Sequence, residues 1–318
     1  MKLNAVMTLA MVSTLSVPAL ASNDSRWHGE LILATGYLST NSNLSTEGDR
    51  HLTDLDGKGS HTNDFIVMPL GSLNYELNDQ RNQRLYLGTS RDDLAVGDLA
   101  FEVGYQYDFA NGTQLDFAIL PTVVRGEVWA NPYDTDNRRR KEDVEGMAYR
   151  FKVNNLMNSG FSLDMGFATM EVDNEGIEPQ SLHRDADTYY LKGSYRSMFS
   201  ATSGLITAFA YTHHDAEGDA ASFDQYKGEL TYFRHSNGHS LALTGSYAYR
   251  EYDAINPIFD TRRNDDRYRL FLAYEQANFL GWQNWSLVSF NGVQFNTSSI
   301  GFYENEEYLT SLGLSYRF

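Results

Sequence analysis

Cysteine is absent from the 318 residues, which excludes disulfides, thiolate metal sites, a cysteine nucleophile and a lipid-modified N-terminal cysteine. Proline is scarce, at 6, so little interrupts a regular backbone ladder. Basic residues are outnumbered, 25 Lys and Arg against 42 Asp and Glu, for a formal charge of -17. A nucleic-acid binder needs a basic footprint, and this chain has the opposite balance. Beyond the first twenty or so residues there is no apolar run long enough for a membrane-spanning helix. Mean hydropathy is -0.46. That value excludes helical spans only, because a spanning strand presents only alternate residues to lipid and averages out as hydrophilic.

Aromatic residues, by contrast, make up 14% of the chain, with 21 Tyr and 18 Phe. Such side chains favour pleated, half-buried strands. At the N-terminus Met1 and Lys2 form a small positive region, Leu3 to Leu15 is mostly apolar, and Ala19-Leu20-Ala21 has the small-x-small pattern of a cleavage site. Residues 1–21 are therefore expected to be a signal peptide, with Ser22 opening a mature domain over 22–318.

Period-2 alternation dominates the remainder. Leu99, Phe101, Val103, Tyr105, Tyr107 and Phe109 share one face and Ala100, Glu102, Gly104, Gln106 and Asp108 the other. The pattern recurs along the chain, and the polar faces carry Asp116, Arg150, Lys152, Asp164, Lys192, Arg196, Lys227, Arg250, Arg267 and Arg269. A packed sandwich core would require a buried partner for each charge, so charges this frequent at mid-strand point to a wet interior. With Glu102 and Asp108 these residues are expected to line a lumen, acids on the early strands and bases on the late ones.

Connections alternate between short and long, and Asn111-Gly112 and Asn237-Gly238 suit tight hairpins. The long polar ones include 39–62, 130–145, 173–186, 213–222 and 251–265. Short periplasmic turns and longer outside loops are the habit of outer-membrane barrels. The fold expected is all-β, a transmembrane antiparallel up-and-down barrel of about fourteen strands, with twelve as the alternative. The weak segments are the short Gln83 to Ser90 and Trp285 to Phe295, whose alternation slips.

Trp27, Trp129, Trp282 and Trp285 all fall near expected strand ends, where a membrane girdle belongs. Near the C-terminus Leu312, Leu314, Tyr316 and Phe318 share a face, the pattern expected of a signal for the outer-membrane assembly machinery. These features imply the outer membrane of a Gram-negative bacterium, with membrane lipid and lipopolysaccharide as neighbours.

The stretches Gly88-Thr89-Ser90-Arg91, Leu94-Ala95-Val96-Gly97, Leu120-Pro121-Thr122, Gly126-Glu127-Val128-Trp129, Pro132-Tyr133 and Gly281-Trp282-Gln283-Asn284-Trp285-Ser286 resemble a family of Gram-negative exported proteins, domain of unknown function 2860. The resemblance covers most of the mature chain. It implies a cellular address and no mechanism, so no functional residue is carried over from it.

Catalytic chemistry is poorly supported. His213-His214-Asp215 and His183 with Asp185 and Asp187 are read as loop polarity, since no nucleophile stands at a useful spacing, and the chain is not expected to be an enzyme. His235 and His239 bracket a short turn at the membrane interface. Asp54 to Gly59 and Asp215 to Asp219 resemble fragments of calcium loops but lack the full ligand series, so loose divalent-cation binding is the most they suggest; no dedicated metal or cofactor site is expected. Arg138-Arg139-Arg140-Lys141 is expected to pair with Glu142, Asp143 and Glu145. The leading expectation is a porin-like channel for small hydrophilic solutes. A surface interaction protein with a closed lumen comes second and an outer-membrane enzyme last.

Overall fold

The computed structural model describes residues 25–96, 100–121 and 126–318; the expected signal peptide lies outside them, as do Leu99 and Thr122. The chain forms β1 (Trp27–Thr40), β2 (Thr62–Glu76), β3 (Gln83–Gly88), a short helix α1 (Arg91–Val96), β4 (Glu102–Asp108), β5 (Gln114–Pro121) and β6 (Gly126–Trp129). Then follow β7 (Lys141–Asn154), β8 (Phe161–Val172), β9 (Ala186–Ser200), β10 (Ser203–Ala216) and β11 (Phe223–Ser236). The last four are β12 (His239–Asn256), β13 (Thr261–Ala277), β14 (Trp285–Ser298) and β15 (Asn305–Arg317).

Apart from β5 and β6, each strand pairs antiparallel with its sequence neighbour, and β1 pairs with β15. β5 and β6 occupy one position, since both pair with β7, the first on Met147–Asn154 and the second on Lys141–Val144. The result is a closed barrel of fourteen strand positions. Closure through the β1–β15 pair removes the free edge that an open sheet would present, the condition for crossing a hydrocarbon layer with strands.

The alternation fixes the two faces. Leu31, Leu33, Phe117, Tyr149, Leu191, Phe209, Leu230, Leu270 and Leu312 are exposed on the outer surface, while Ile32, Ala34, Asp116, Lys152, Ala208, Glu229, Phe271 and Ser311 between them are buried. Short turns follow from backbone chemistry: Asn237 and Gly238 both take positive φ, 50° and 81°, as a two-residue type I′ hairpin requires.

Two expectations about the loops need correction. The segment 251–265 is mostly strand, because β12 runs to Asn256 and β13 begins at Thr261, and His213 to Asp215 lie within β10. On these extensions the inward Tyr252 and Asn256 are buried beneath the loop cover while the outward Glu251 and Asp253 meet solvent, so the apolar-outside alternation is lost while the ladder continues.

At one place the wall is low. β3 and β4 have six and seven residues, and among the described residues Thr62–Gly71 of β2 pair only with β1. The chain leaves the wall at Gly88, whose φ is 134° and where a Cβ would stand 2.1 Å from the Gly71 carbonyl oxygen. Thr89 N–H then donates to that same oxygen at 2.7 Å, and the chain continues into the lumen as α1. Only a glycine permits this approach.

Candidate functional site: the barrel lumen

α1 is held from both sides. Asp93 accepts from Arg150 Nη1 and Nη2 at 2.7 and 3.1 Å, and the same guanidinium donates to Asp164 through Nε and Nη2 at 2.9 and 2.6 Å. Glu102 stands 3.6 Å from Arg150 and 3.9 Å from Lys152, so two bases sit among three carboxylates. Opposite, Leu94 packs into an apolar cluster of Ile32, Ala34, Met68, Phe271, Val288 and Phe290. Helix α1 thus bridges a charged wall and an apolar wall.

The polar wall encloses a cavity of about 820 Å³. Its lining includes Asn74, Gln106, Gln114, Asn154, Ser162, Ser194 and Thr231 beside the charges, and it reaches the short-turn residues Asn155 to Gly160. Asp116 accepts from Tyr86 Oη at 2.6 Å and Gln106 Nε2 at 2.7 Å, not from Arg150. Asp108 accepts from Gln114 at 2.7 Å. Glu229 is clasped by Lys192 and Lys227, each at 2.9 Å.

The late strands carry a sparser balance. Arg250 donates to Gln225 at 2.9 Å and lies 4.0 Å over the Phe223 ring. Arg269 lies over Phe271, and Arg267 Nε is buried without a hydrogen-bond partner. Arg196 lies 5.7 Å over Phe233. Of the twelve residues expected to line the lumen, Glu102, Asp116, Arg150, Lys152, Asp164, Lys192 and Arg196 line the large cavity. What the alternation did not signal is Asp93, which arrives on α1, and the apolar wall. Its trace in sequence is the slip in β14, where Val288 and Phe290 turn inward and Ser289 and Asn291 outward.

The long-loop end is covered. Leu52, Ile300, Phe302 and Tyr303 form one buried cluster and Ile177, Leu182 and Ala220 another, with Tyr133 packed against both. Tyr133 and Tyr303 hydroxyls are 2.5 Å apart, and Asn256 Nδ2 donates to the latter at 2.9 Å. Arg263 stacks 3.5 Å over the Tyr303 ring.

Trp129 departs from the girdle expectation. It is 1% exposed, donates from Nε1 to the Ser45 carbonyl at 3.0 Å and has Arg139 4.3 Å over its ring. The loop folding back over β6 turns that strand end into an interior. The other three tryptophans lie at the short-turn end: Trp27 against Tyr75, and Trp285 between Trp282 and Tyr316, on which Phe318 stacks.

The basic run also behaves differently from expectation in part. Arg139 donates to the backbone carbonyls of Asn43, Asp49 and Pro132, and burial pulls its pKa down to about 10, still charged at neutral pH. Lys141 bridges Glu47 and Glu127 at 3.1 and 2.9 Å. Arg140 alone reaches Glu142, at 3.8 Å.

The loop histidines serve as braces. His213 contacts Asp224 at 2.9 Å, His214 Thr188 at 2.8 Å, and His183 Glu217 at 3.2 Å. At the other end His235 contacts Ser240 at 2.9 Å and His239 contacts Tyr274 at 2.7 Å. Asp54 caps its own turn through the Asp56 N–H at 3.0 Å. Among the described residues no cluster of three metal-ligating side chains occurs.

A closed fourteen-position barrel with an apolar exterior, a polar lumen and covering loops defines a β-barrel of the outer-membrane type. The chain belongs to the family described as protein of unknown function (DUF2860), which matches residues 27–317. No curated protein matches it. Among solved structures it is similar to the outer-membrane channel DcaP of Acinetobacter baumannii, at 8% identity over 93% of this chain and 99% of that one, TM-score 0.49. It is also similar to a loop-deletion mutant of the outer-membrane protein OmpT of Vibrio cholerae, at 10% identity over 92% and 98%, TM-score 0.44. A third is an anion-selective porin from Comamonas acidovorans, at 12% over 92% and 99%, TM-score 0.41. These likenesses concern the fold alone.

Proposed function

We propose that the protein is a porin-like outer-membrane channel for small hydrophilic solutes, seen with its lumen shut. The observation that carries this reading is the cavity of about 820 Å³, lined by amide, hydroxyl and charged groups and reaching the short-turn end. Such a lining exchanges water for solute hydrogen bonds at little cost. α1 is the constriction and the loop cluster around Tyr133 the outer cover. Acids outnumber bases around Asp93, which favours cations, and the late arginines temper that preference. The reading includes removal of residues 1–21 on export, placement in a Gram-negative outer membrane beside lipopolysaccharide, and insertion guided by the Leu312 to Phe318 face.

Planar-bilayer recording under a salt gradient tests it. The wild type is expected to show small conductance with mild cation selectivity, and Leu94→Ser with Asp93→Asn to raise the conductance several-fold by freeing α1. Folded protein that stays silent in both forms would overturn the channel reading. It would favour the second one, a closed-lumen surface protein, whose supporting observation is the aromatic core of the outer loops.

A further inference from the structure

The apolar wall that seats Leu94 continues past it to Ile206, Phe233 and Leu241. In β14 Val288 and Phe290 face inward, and the compensating turn sends Ser289 and Asn291 to the outer surface, where Asn291 accepts from Thr310 at 2.7 Å and donates to Ser289 at 2.9 Å. Beneath α1 this wall bounds a second cavity of about 350 Å³, large enough for a small organic ligand. Ile32, Leu94, Ile206, Phe233, Val288 and Phe290 form its apolar lining.

Its charged margin is asymmetric. Glu30 has Ser315 Oγ donating to it and Arg317 at 3.5 Å, and Glu275 takes Arg317 Nη2 at 2.5 Å. Arg317 is thus shared between the two carboxylates of this margin. Arg196, which lines this cavity and the larger one alike, has no ion pair with any described carboxylate and lies over the Phe233 ring. Its planar fork matches a carboxylate, which two parallel N–H donors can hold bidentately.

We infer that this cavity is a binding site for a small aromatic or short aliphatic carboxylate, the apolar body against Val288, Phe290 and Phe233 and the acid group on Arg196. The site adjoins the polar cavity, with Arg196, Ile206 and Thr231 common to both, and it stands whether or not the lumen conducts.

The probe is 3-phenylpropanoate, with the neutral 3-phenylpropan-1-ol as its isostere, titrated calorimetrically against the full mature chain in lipid nanodiscs. The acid is expected to bind the wild type saturably and at least tenfold more tightly than the alcohol. Arg196→Gln should remove that difference while leaving the alcohol unaffected, and Val288→Thr should weaken both ligands. Circular dichroism and gel mobility before and after heating establish that each variant is folded. No saturable binding to folded wild type, equal affinity for acid and alcohol, or an unchanged acid affinity in Arg196→Gln would each overturn the site. Binding by a protein that does not conduct would sink the channel reading and leave this one standing; conductance without binding would do the reverse.

Discussion

The two sides of the lumen solve the same packing problem by opposite means. On the side of β4, β7 and β8, α1 is anchored through Arg150, which serves Asp93 and Asp164 at hydrogen-bond distance and stands near Glu102. On the side of β1, β13 and β14 it is anchored through Leu94 among aliphatic and aromatic side chains. Charges in a confined lumen are stable only as a satisfied set, so the first anchor is brittle: remove one member and the others are stranded. Apolar contacts are many and individually small, so the second gives way gradually. The same helix therefore has one electrostatic hinge point and one greasy one.

The largest effect should come from Arg150→Ala, which leaves Asp93 and Glu102 with Lys152 at 3.8 and 3.9 Å and takes from Asp164 its hydrogen-bonding guanidinium, and is expected to destabilise by about 3 to 5 kcal/mol. Urea unfolding in detergent measures this. Adding Asp93→Ala to it should recover part of the loss; a double mutant worse than the single would contradict the stranded-charge account.

Phe290→Ala tests the apolar side. Removing a buried ring should cost about 3 kcal/mol, without the recovery seen for charge pairs when a neighbour such as Phe271 is also truncated. If the pair Phe290 and Phe271 shows rescue, the contrast between the two walls fails.

Across the wall, Leu312 is 56% exposed on the outer face and its neighbour Ser311 is buried on the inner one. Leu312→Asp is expected to lower membrane-inserted yield and stability by up to about 2 to 4 kcal/mol. Ser311→Asn should be nearly silent in insertion. Comparable inserted yields for both substitutions would reject the assignment of faces.

The smallest effect concerns the cover. Tyr133→Phe removes one hydrogen bond to Tyr303 and leaves the ring packing, so about 1 kcal/mol is expected, visible as faster protease cleavage of the outer loops with unchanged unfolding of the barrel. Barrel unfolding that shifts together with loop cleavage would show that cover and wall are one cooperative unit.

How much of this was legible beforehand depended on periodicity. β7 to β13 alternate cleanly, and their faces came out as Arg150, Lys192 and Lys227 inside against Tyr149, Leu191 and Tyr226 outside. β14 slipped because its residues answer to an apolar patch within the lumen, an environment with no signature of its own in an alternating code. The strand extensions at the long-loop end were read as loops, because their outward residues, Glu251 and Asp253, are polar and their inward ones, Tyr252 and Asn256, pack beneath the loop cover, which removes the apolar-outside pattern that marks a strand here. Trp129 was assigned to lipid because a tryptophan at a strand end looks the same beneath a folded loop.

What the sequence by itself determined is the barrel: a strand's side-chain period is two, a lipid face tolerates few charges, and the two rules together specify faces and short turns and bring the strand number to twelve or fourteen. What only the tertiary structure decided is what fills the barrel. Asp93 meets Arg150 across 57 residues of chain and Trp129 meets Ser45 across 84, and no local periodicity encodes a contact that depends on where a loop lands after the wall has closed.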